Sequence, residues 1–231
     1  MFPGLLPWEQ SRPWRVSPSG FRRPGKPIDQ PNPKASVLDC LFRKSSSEEQ
    51  NSTKLMIIDL SEAMRPRGIT EEIEHVADHD VKLGVLSDMG PGGARQAPRS
   101  RIVVVDIVIL GTPIWLGDPS SIAQRVMERL NALLFEVDDR NRMPAIGKVH
   151  GIAVVRNEAG AHATHAACFR ALNGVESTIR VKSGIYWVGE AIHATSYVDL
   201  KQTPDALVSS LKVAASNAAR LLEADRFPGA K

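Results

Sequence analysis

The chain is expected to form one α/β domain, a doubly wound five-stranded parallel sheet with helices on both faces. Three observations predict this. From residue 35 onward, apolar runs of strand length alternate with stretches of helical period. The strongest run, RIVVVDIVIL at 101–110, is apolar at both alternating sets of positions, as a central strand buried on both faces requires. The last stretch, 205–222, is an amphipathic helix able to cover one face of such a sheet.

Residues 35–42 (ASVLDCLF) read as the first strand, with Asp39 the one interior polar residue. The following helix, 52–64, has Leu55, Ile58 and Met64 at near-helical spacing and is stopped by Arg65-Pro66-Arg67-Gly68. The second strand, 69–76, is weaker and more charged, as an edge strand should be. Residues 77–100 carry Pro91, Gly92, Gly93 and Pro98, which predicts a loop with at most one helical turn where a crossover helix would normally lie. After the strand at 101–110, Asp118 as N-cap and Pro119 at the first helical position open a helix running to about 135. Its buried stripe is Ile122, Val126, Leu130, Leu133 and Leu134. A fourth strand at 148–155, a helix at 161–172 and a fifth strand at 178–186 complete the alternation.

Residues 1–34 stand apart. They hold eight of the sixteen prolines, and six Lys/Arg against two acids, so the net charge of +3 belongs to this extension and the remainder is near neutral. At that proline density a disordered or loosely attached segment is expected, with 35–231 as the folded domain. A basic groove for nucleic acid is therefore not indicated. No apolar run reaches the roughly 18 residues of a membrane span, and no secretory signal is expected at the start. Cys40 and Cys168 alone make no disulfide framework, which fits a reducing cytoplasmic setting. A homodimer or homotetramer is the expected assembly.

In an open α/β sheet, ligands bind outside the carboxyl ends of the strands, where strand order reverses. For the order 2-1-3-4-5 that point lies between the first and third strands. Three loops meet there. The first, RKSSSEEQNST at 43–53, brings hydroxyls to a helix N-terminus, which suits a phosphate monoester. Taken alone, it could equally be an N-cap. The second, GTPIWLGDPSS at 111–121, joins a rigid backbone (Pro113, Gly117) to an apolar face (Ile114, Trp115, Leu116), as a flat aromatic ligand needs. A packed loop or a dimer contact would use the same residues. The third, RNEAGAH at 156–162, offers Asn157, Glu158 and Gly160 to the polar edge of a heterocycle.

DIVILGTPIWLGDPSS, SIAQRVMERLNALL, GKVHGIAVVRNEAGAH and SGIYWVGEA together resemble the flavodoxin-fold NAD(P)H-dependent FMN reductases and oxidoreductases, over about residues 36–200. The resemblance implies the flavodoxin-like strand order, FMN as cofactor and NAD(P)H as co-substrate. Hydride would pass to the flavin, and electrons on to a quinone, another flavin or a small electrophile. It implies that Ser45, Ser52 and Thr53 bind phosphate. Thr112, Pro113, Ile114, Trp115, Leu116 and Gly117, with Asn157, Glu158 and Gly160, would hold the ring system. Tyr186-Trp187 would shape the pocket wall. The flavin carries the chemistry, so no residue is assigned as acid or base. Glu48-Glu49 depart from the pattern by placing carboxylates where a dianion should sit.

Two other readings compete. One is a flavodoxin-type electron carrier, disfavoured because the core lacks an acidic docking patch. The other is a flavin-free scaffold that kept the fold. His162 and His165, one helical turn apart, and Asp78-His79-Asp80 are expected to be structural or solvent-facing, because no further ligands appear at metal-binding spacing. Cys168, in an apolar run, is expected to be a packed thiol.

Overall fold

The computed structural model describes residues 14–15, 33–42, 44–46, 50–86, 97–137, 141–189 and 195–223. Glu48, Glu49, residues 91–93 and most of the extension lie outside them. Five parallel strands, β1 (Lys34–Asp39), β2 (Thr70–His75), β3 (Ile107–Trp115), β4 (Val149–Arg156) and β5 (Thr178–Val188), form the sheet in the order 2-1-3-4-5. The helices are α1 (Ser52–Met64), α2 (Ala97–Val104), α3 (Ser121–Leu130), α4 (Ala161–Gly174) and α5 (Asp205–Glu223). Both the fold class and the strand order are as expected.

Side chains of the central strands alternate between two cores. On one face, Val37, Ile107, Ile109, Ala153 and Val155 pack with Met56, Ile57 and Leu60 of α1 and Leu207 and Leu211 of α5. On the other, Leu38, Val108, Leu110, Ile152 and Val154 pack with Ile102 of α2, Val126 and Leu130 of α3, and Cys168 and Leu172 of α4. The buried positions of α1, Thr53, Met56, Ile57, Leu60, Ser61 and Met64, fall one turn apart on one stripe. Gly68, with φ 71°, ends the 3-10 turn that follows α1.

The region before β3 corrects the sequence reading. Residues 101–104 are helical, and the strand begins only at Ile107. RIVVVDIVIL is one apolar run shared by the end of α2, which buries Ile102, and the start of β3. Such a run carries no period that separates helix from strand. The expected loop of 77–100 thus ends in the crossover helix, and Pro98 sits in its first turn, where a missing N–H costs no helical hydrogen bond. The strand in turn runs on through Trp115, so much of the loop expected at 111–121 is strand.

The start of α3 also differs. Asp118–Pro119 turns back antiparallel on Ile114–Trp115, and Ser120 is the N-cap, accepting from the Ala123 N–H at 3.1 Å. Within the extension, Trp14–Arg15 makes a two-residue parallel pairing with Glu136–Val137. Among the described residues no helix is long and apolar enough to cross a membrane.

Candidate functional site

A cleft of about 240 Å³ opens at the carboxyl edge of the sheet, at the β1/β3 switch point. Leu41 and Phe42 beyond β1, Pro113 and Trp115 of β3, and Val155 and Arg156 of β4 form one side. Gln50, Asn51, Ser52 and Thr53 at the start of α1, with Asn157, Ser196 and Val198, complete it.

The α1 end is fixed by its own cap. The Asn51 side chain accepts from the Lys54 N–H at 2.8 Å, and the first in-helix bond runs from Leu55 N–H to Asn51 O at 3.0 Å. The N–H groups of Ser52 and Thr53 have no intrahelical partner at that position, and the helix dipole adds to their preference for an anion. Ser52 Oγ accepts from the Val198 N–H at 3.3 Å, which ties the segment before α5 to the same wall. Behind the β1 side, buried Asp39 accepts from the Leu41 N–H at 3.1 Å and meets His75 Nδ1 at 3.1 Å. Burial raises the Asp39 pKa above its ordinary value, against the lowering effect of those two partners. The pair shapes the turn that places Leu41 and Phe42 in the cleft.

The opposite end is a tight hairpin. Leu116 (φ 52°) and Gly117 (φ 87°) are its two central residues, joining Trp115 to Asp118. Two consecutive left-handed residues match the twist of flanking strands, which is why such turns favour Asn and Gly. Leucine is unfavourable there by roughly 1–2 kcal/mol, and its side chain is 97% exposed. The Leu116 N–H donates to Glu158 at 3.2 Å, and Thr164 Oγ1 donates to Gly117 O at 3.2 Å, so the loop after β4 holds the hairpin. Gly160 packs against it so closely that a Cβ would lie 2.6 Å from Gly117 Cα, and its φ of 119° also favours glycine.

Between these ends stands Trp115, tilted against Phe42 at 5.6 Å. The Arg156 guanidinium carbon lies 3.8 Å from the Trp115 ring centroid. Trp115 Nε1 and Arg156 Nε are both buried without a hydrogen-bond partner. Groups of this kind sit at sites completed by a ligand or water more often than in finished cores.

Of the twelve site residues expected from sequence, the cleft gathers Ser52, Thr53, Pro113, Trp115 and Asn157. Ser45 lies elsewhere, its N–H donating to Asp78 at 2.9 Å; with the Ser45 hydroxyl, this lowers the Asp78 pKa. Thr112 and Ile114 are fully buried, and the Thr112 hydroxyl accepts from the Ser120 N–H at 3.1 Å. Leu116, Gly117, Glu158 and Gly160 form the interlocked rim just described. Tyr186 and Trp187 lie within β5; Tyr186 meets His162 Nε2 at 3.1 Å, and Trp187 packs tilted against Tyr197. Sequence reasoning missed Leu41 and Phe42, read as strand, and Gln50, Asn51, Val155, Arg156, Ser196 and Val198. Only Arg156 carried a signal, as a lone cation directly after the apolar strand.

The remaining polar candidates are accounted for by packing. His165 is buried, with Nε2 donating to Ile185 O at 3.2 Å, and burial lowers its pKa. His79 pairs with Glu74. Among the described residues no group of three or more His, Cys, Asp or Glu is placed to hold a metal ion. Cys40 and Cys168 are free buried thiols, and burial pushes Cys168 up to about 12.

The fold is that of a flavodoxin-like α/β protein, and the solved structures similar to it have that fold. RosB with bound 8-demethyl-8-formylriboflavin-5'-phosphate matches with a TM-score of 0.72 at 24% identity, covering 83% of this chain and 79% of RosB. The apo form of an NADH:FMN oxidoreductase matches at 0.55 and 14% identity, covering 82% of this chain and 89% of that one. FerB, an NAD(P)H:(acceptor) oxidoreductase of Paracoccus denitrificans, matches at 0.55 and 13%, covering 84% and 98%. Among curated proteins, the 8-demethyl-8-aminoriboflavin-5'-phosphate synthase of Streptomyces davaonensis is 27% identical over 177 residues, 73% of this chain and 68% of that one. The divalent metal cation transporter MntH of Mycobacterium bovis is 30% identical over 174 residues. That match covers 72% of this chain, which spans only 25% of the transporter's length. No protein-family profile matches the chain.

Proposed function

We propose that the cleft binds FMN and that the protein is an FMN-dependent oxidoreductase. It would take hydride from NAD(P)H and pass electrons to a quinone, another flavin or another small acceptor. The observation that carries this reading is the meeting, in one cleft at the switch point, of a capped helix N-terminus with an aromatic wall. The first suits a phosphate monoester and the second a flat ring. The donor set fits the ligand: Ser52 and Thr53 would hold the phosphate, and Pro113, Trp115 and Asn157 the ring system. Leu116, Gly117, Glu158 and Gly160 would form its rim, and Thr112 and Ile114 would brace the strand beneath. Among the described lining residues the start of α1 is the single α-helix N-terminus, one phosphate-binding end and not two, which favours FMN over FAD.

At about 240 Å³ the cleft is below the roughly 300–1,000 Å³ of fully enclosing small-molecule sites. Part of the ring would therefore stay open to a donor or acceptor. When bound, the flavin supplies the redox chemistry; the chain's residues orient it, exclude water and tune its potential. The test is whether purified protein is yellow or takes up micromolar FMN, followed by NAD(P)H oxidation with a quinone. Release of FAD, or no flavin uptake, removes the reading. Uptake of FMN with no NAD(P)H oxidation leaves an electron carrier.

A second reading makes the flavin a substrate. RosB matches at a TM-score of 0.72, well above the 0.55 of the two reductases, and its structure holds a riboflavin-5'-phosphate derivative. Mass analysis of FMN after aerobic incubation with the protein separates the two: an unchanged mass supports the cofactor role.

A further inference from the structure

We infer that Arg156 is a specificity-determining residue that makes the cleft prefer the anionic reduced form of a flavin over the neutral oxidised form. This rests on the FMN reading above. Arg156 is the last residue of β4, in the cleft, with its guanidinium over Trp115. It therefore stands at the aromatic wall, away from any role that α1 already fills at the phosphate end.

Its charge has no carboxylate counterpart among the described residues. By contrast, Arg101 pairs with Glu72 and Glu74, and Arg65 with Glu71 at 3.8 Å. Among the described residues no carboxylate pairs with Arg156, and its Nε is buried without a partner. Glu158, two residues along, is turned to the Leu116 N–H instead. A partly buried cation without a partner is unfavourable, and a negative charge brought beside it is stabilised far more than in water. The indole beneath holds the planar guanidinium in place, so little rotamer freedom remains to be lost when that charge arrives.

The chemistry of the ligand says when this happens. The oxidised isoalloxazine is neutral. A hydride adds two electrons and one proton, so the reduced ring carries one negative charge unless it takes a second proton from solvent. Only the reduced form gains the full attraction of Arg156. Bound flavin is then easier to reduce than free flavin, because tighter binding of the reduced form raises its potential by linkage.

The test measures affinity for each redox form, independently of turnover. Apoprotein is titrated anaerobically at neutral pH with oxidised FMN and with dithionite-reduced FMN, for the unaltered protein, Arg156→Gln and Arg156→Lys. The unaltered protein should bind reduced FMN at least tenfold more tightly than oxidised FMN. Arg156→Gln should lose most of that ratio while its dissociation constant for oxidised FMN moves less than about threefold. Arg156→Lys should keep most of the ratio and serves where the Gln variant fails to fold. A Gln variant that keeps the ratio overturns the inference. So does one that loses both forms equally, since that marks Arg156 as a phosphate ligand or a structural wall. Failure of the unaltered protein to bind either form would instead overturn the FMN reading on which this rests.

Discussion

The two edges of the sheet are finished in different ways. At the amino edge the backbone ladder continues into the loops. Thr70 N–H donates to Pro33 O, Asp106 N–H to Lys34 O, Val149 N–H to Asp106 O and Thr178 N–H to Lys148 O. Buried Lys148 donates to Val103 O at 3.0 Å and Val105 O at 2.6 Å. At the carboxyl edge, Trp115 and Arg156 keep buried N–H groups without partners, and Leu116 and Phe42 stand exposed. The carboxyl edge thus leaves two buried side-chain N–H groups open in the cleft, as a ligand site would. Toward the amino edge, Ser36 Oγ and His150 Nδ1, in one register row across β1, β3 and β4, also lack partners. His150 Nε2 meets the Ser177 hydroxyl at 3.4 Å, and the residue is among those lining a cavity of about 20 Å³, with space for little more than one water.

His150 offers the largest effect on which to break the contrast. Burial, with Lys148 nearby, pushes its pKa from 6.5 down to about 3. The unfolded chain therefore binds a proton between those values that the folded protein does not. Stability should be full above about pH 6.5 and fall progressively as pH drops toward 3. His165, also lowered by burial, adds in the same sense. Asp39, raised by burial, works the other way at more acid pH. Denaturant melts across this range should show a shallower acid slope for His150→Leu, and an unchanged slope would mean that this edge is wetter than described.

At the open edge, Trp115→Ala should weaken FMN binding by roughly 1–3 kcal/mol, the scale of a lost aromatic contact with its buried area. Flavin fluorescence in the complex should rise as well. If the variant changes oligomeric state on size-exclusion chromatography and leaves FMN affinity unchanged, Trp115 belongs to a subunit contact instead. Smaller again, Asn51→Ala should cost about 1 kcal/mol of stability through loss of the α1 cap. In a domain of this size that lowers Tm by roughly 2–4 °C.

How far these edges were legible from sequence differs by element. The two-sided burial of the central strands and the helices from α3 onward follow from period and turn residues, while the strand order came from the family resemblance. α2 did not, because Ile102 in the helix and Ile107 in the strand belong to one unbroken apolar run. The place of Ser52 and Thr53 in the cleft was readable through the helix start, and that of Trp115 through its position after a buried strand. Ser196 and Val198 could not be read, since nothing local marks a segment that folds back from beyond β5. Arg156 was passed over because its meaning lies in what it stacks on and in the carboxylate it lacks.

The smallest expected effect concerns the hairpin tip. Leu116→Asn should raise stability by about 0.5–1 kcal/mol by relieving the left-handed backbone, read as a modest rise in Tm with FMN affinity unchanged. A fall in affinity would show that the exposed side chain covers the ligand, and that strain is retained there for contact.

The close approach of Gly160 to Gly117 has a consequence for how such a protein can diversify. A side chain at Gly160 would collide with the Gly117 backbone and drive the two loops apart, whereas at Gly117 the space is open and only its left-handed φ of 87° favours glycine. The β3 hairpin and the loop after β4, distant in sequence, are thereby coupled through Gly160. A designer seeking a new ring-binding rim on this scaffold would have to transplant both together.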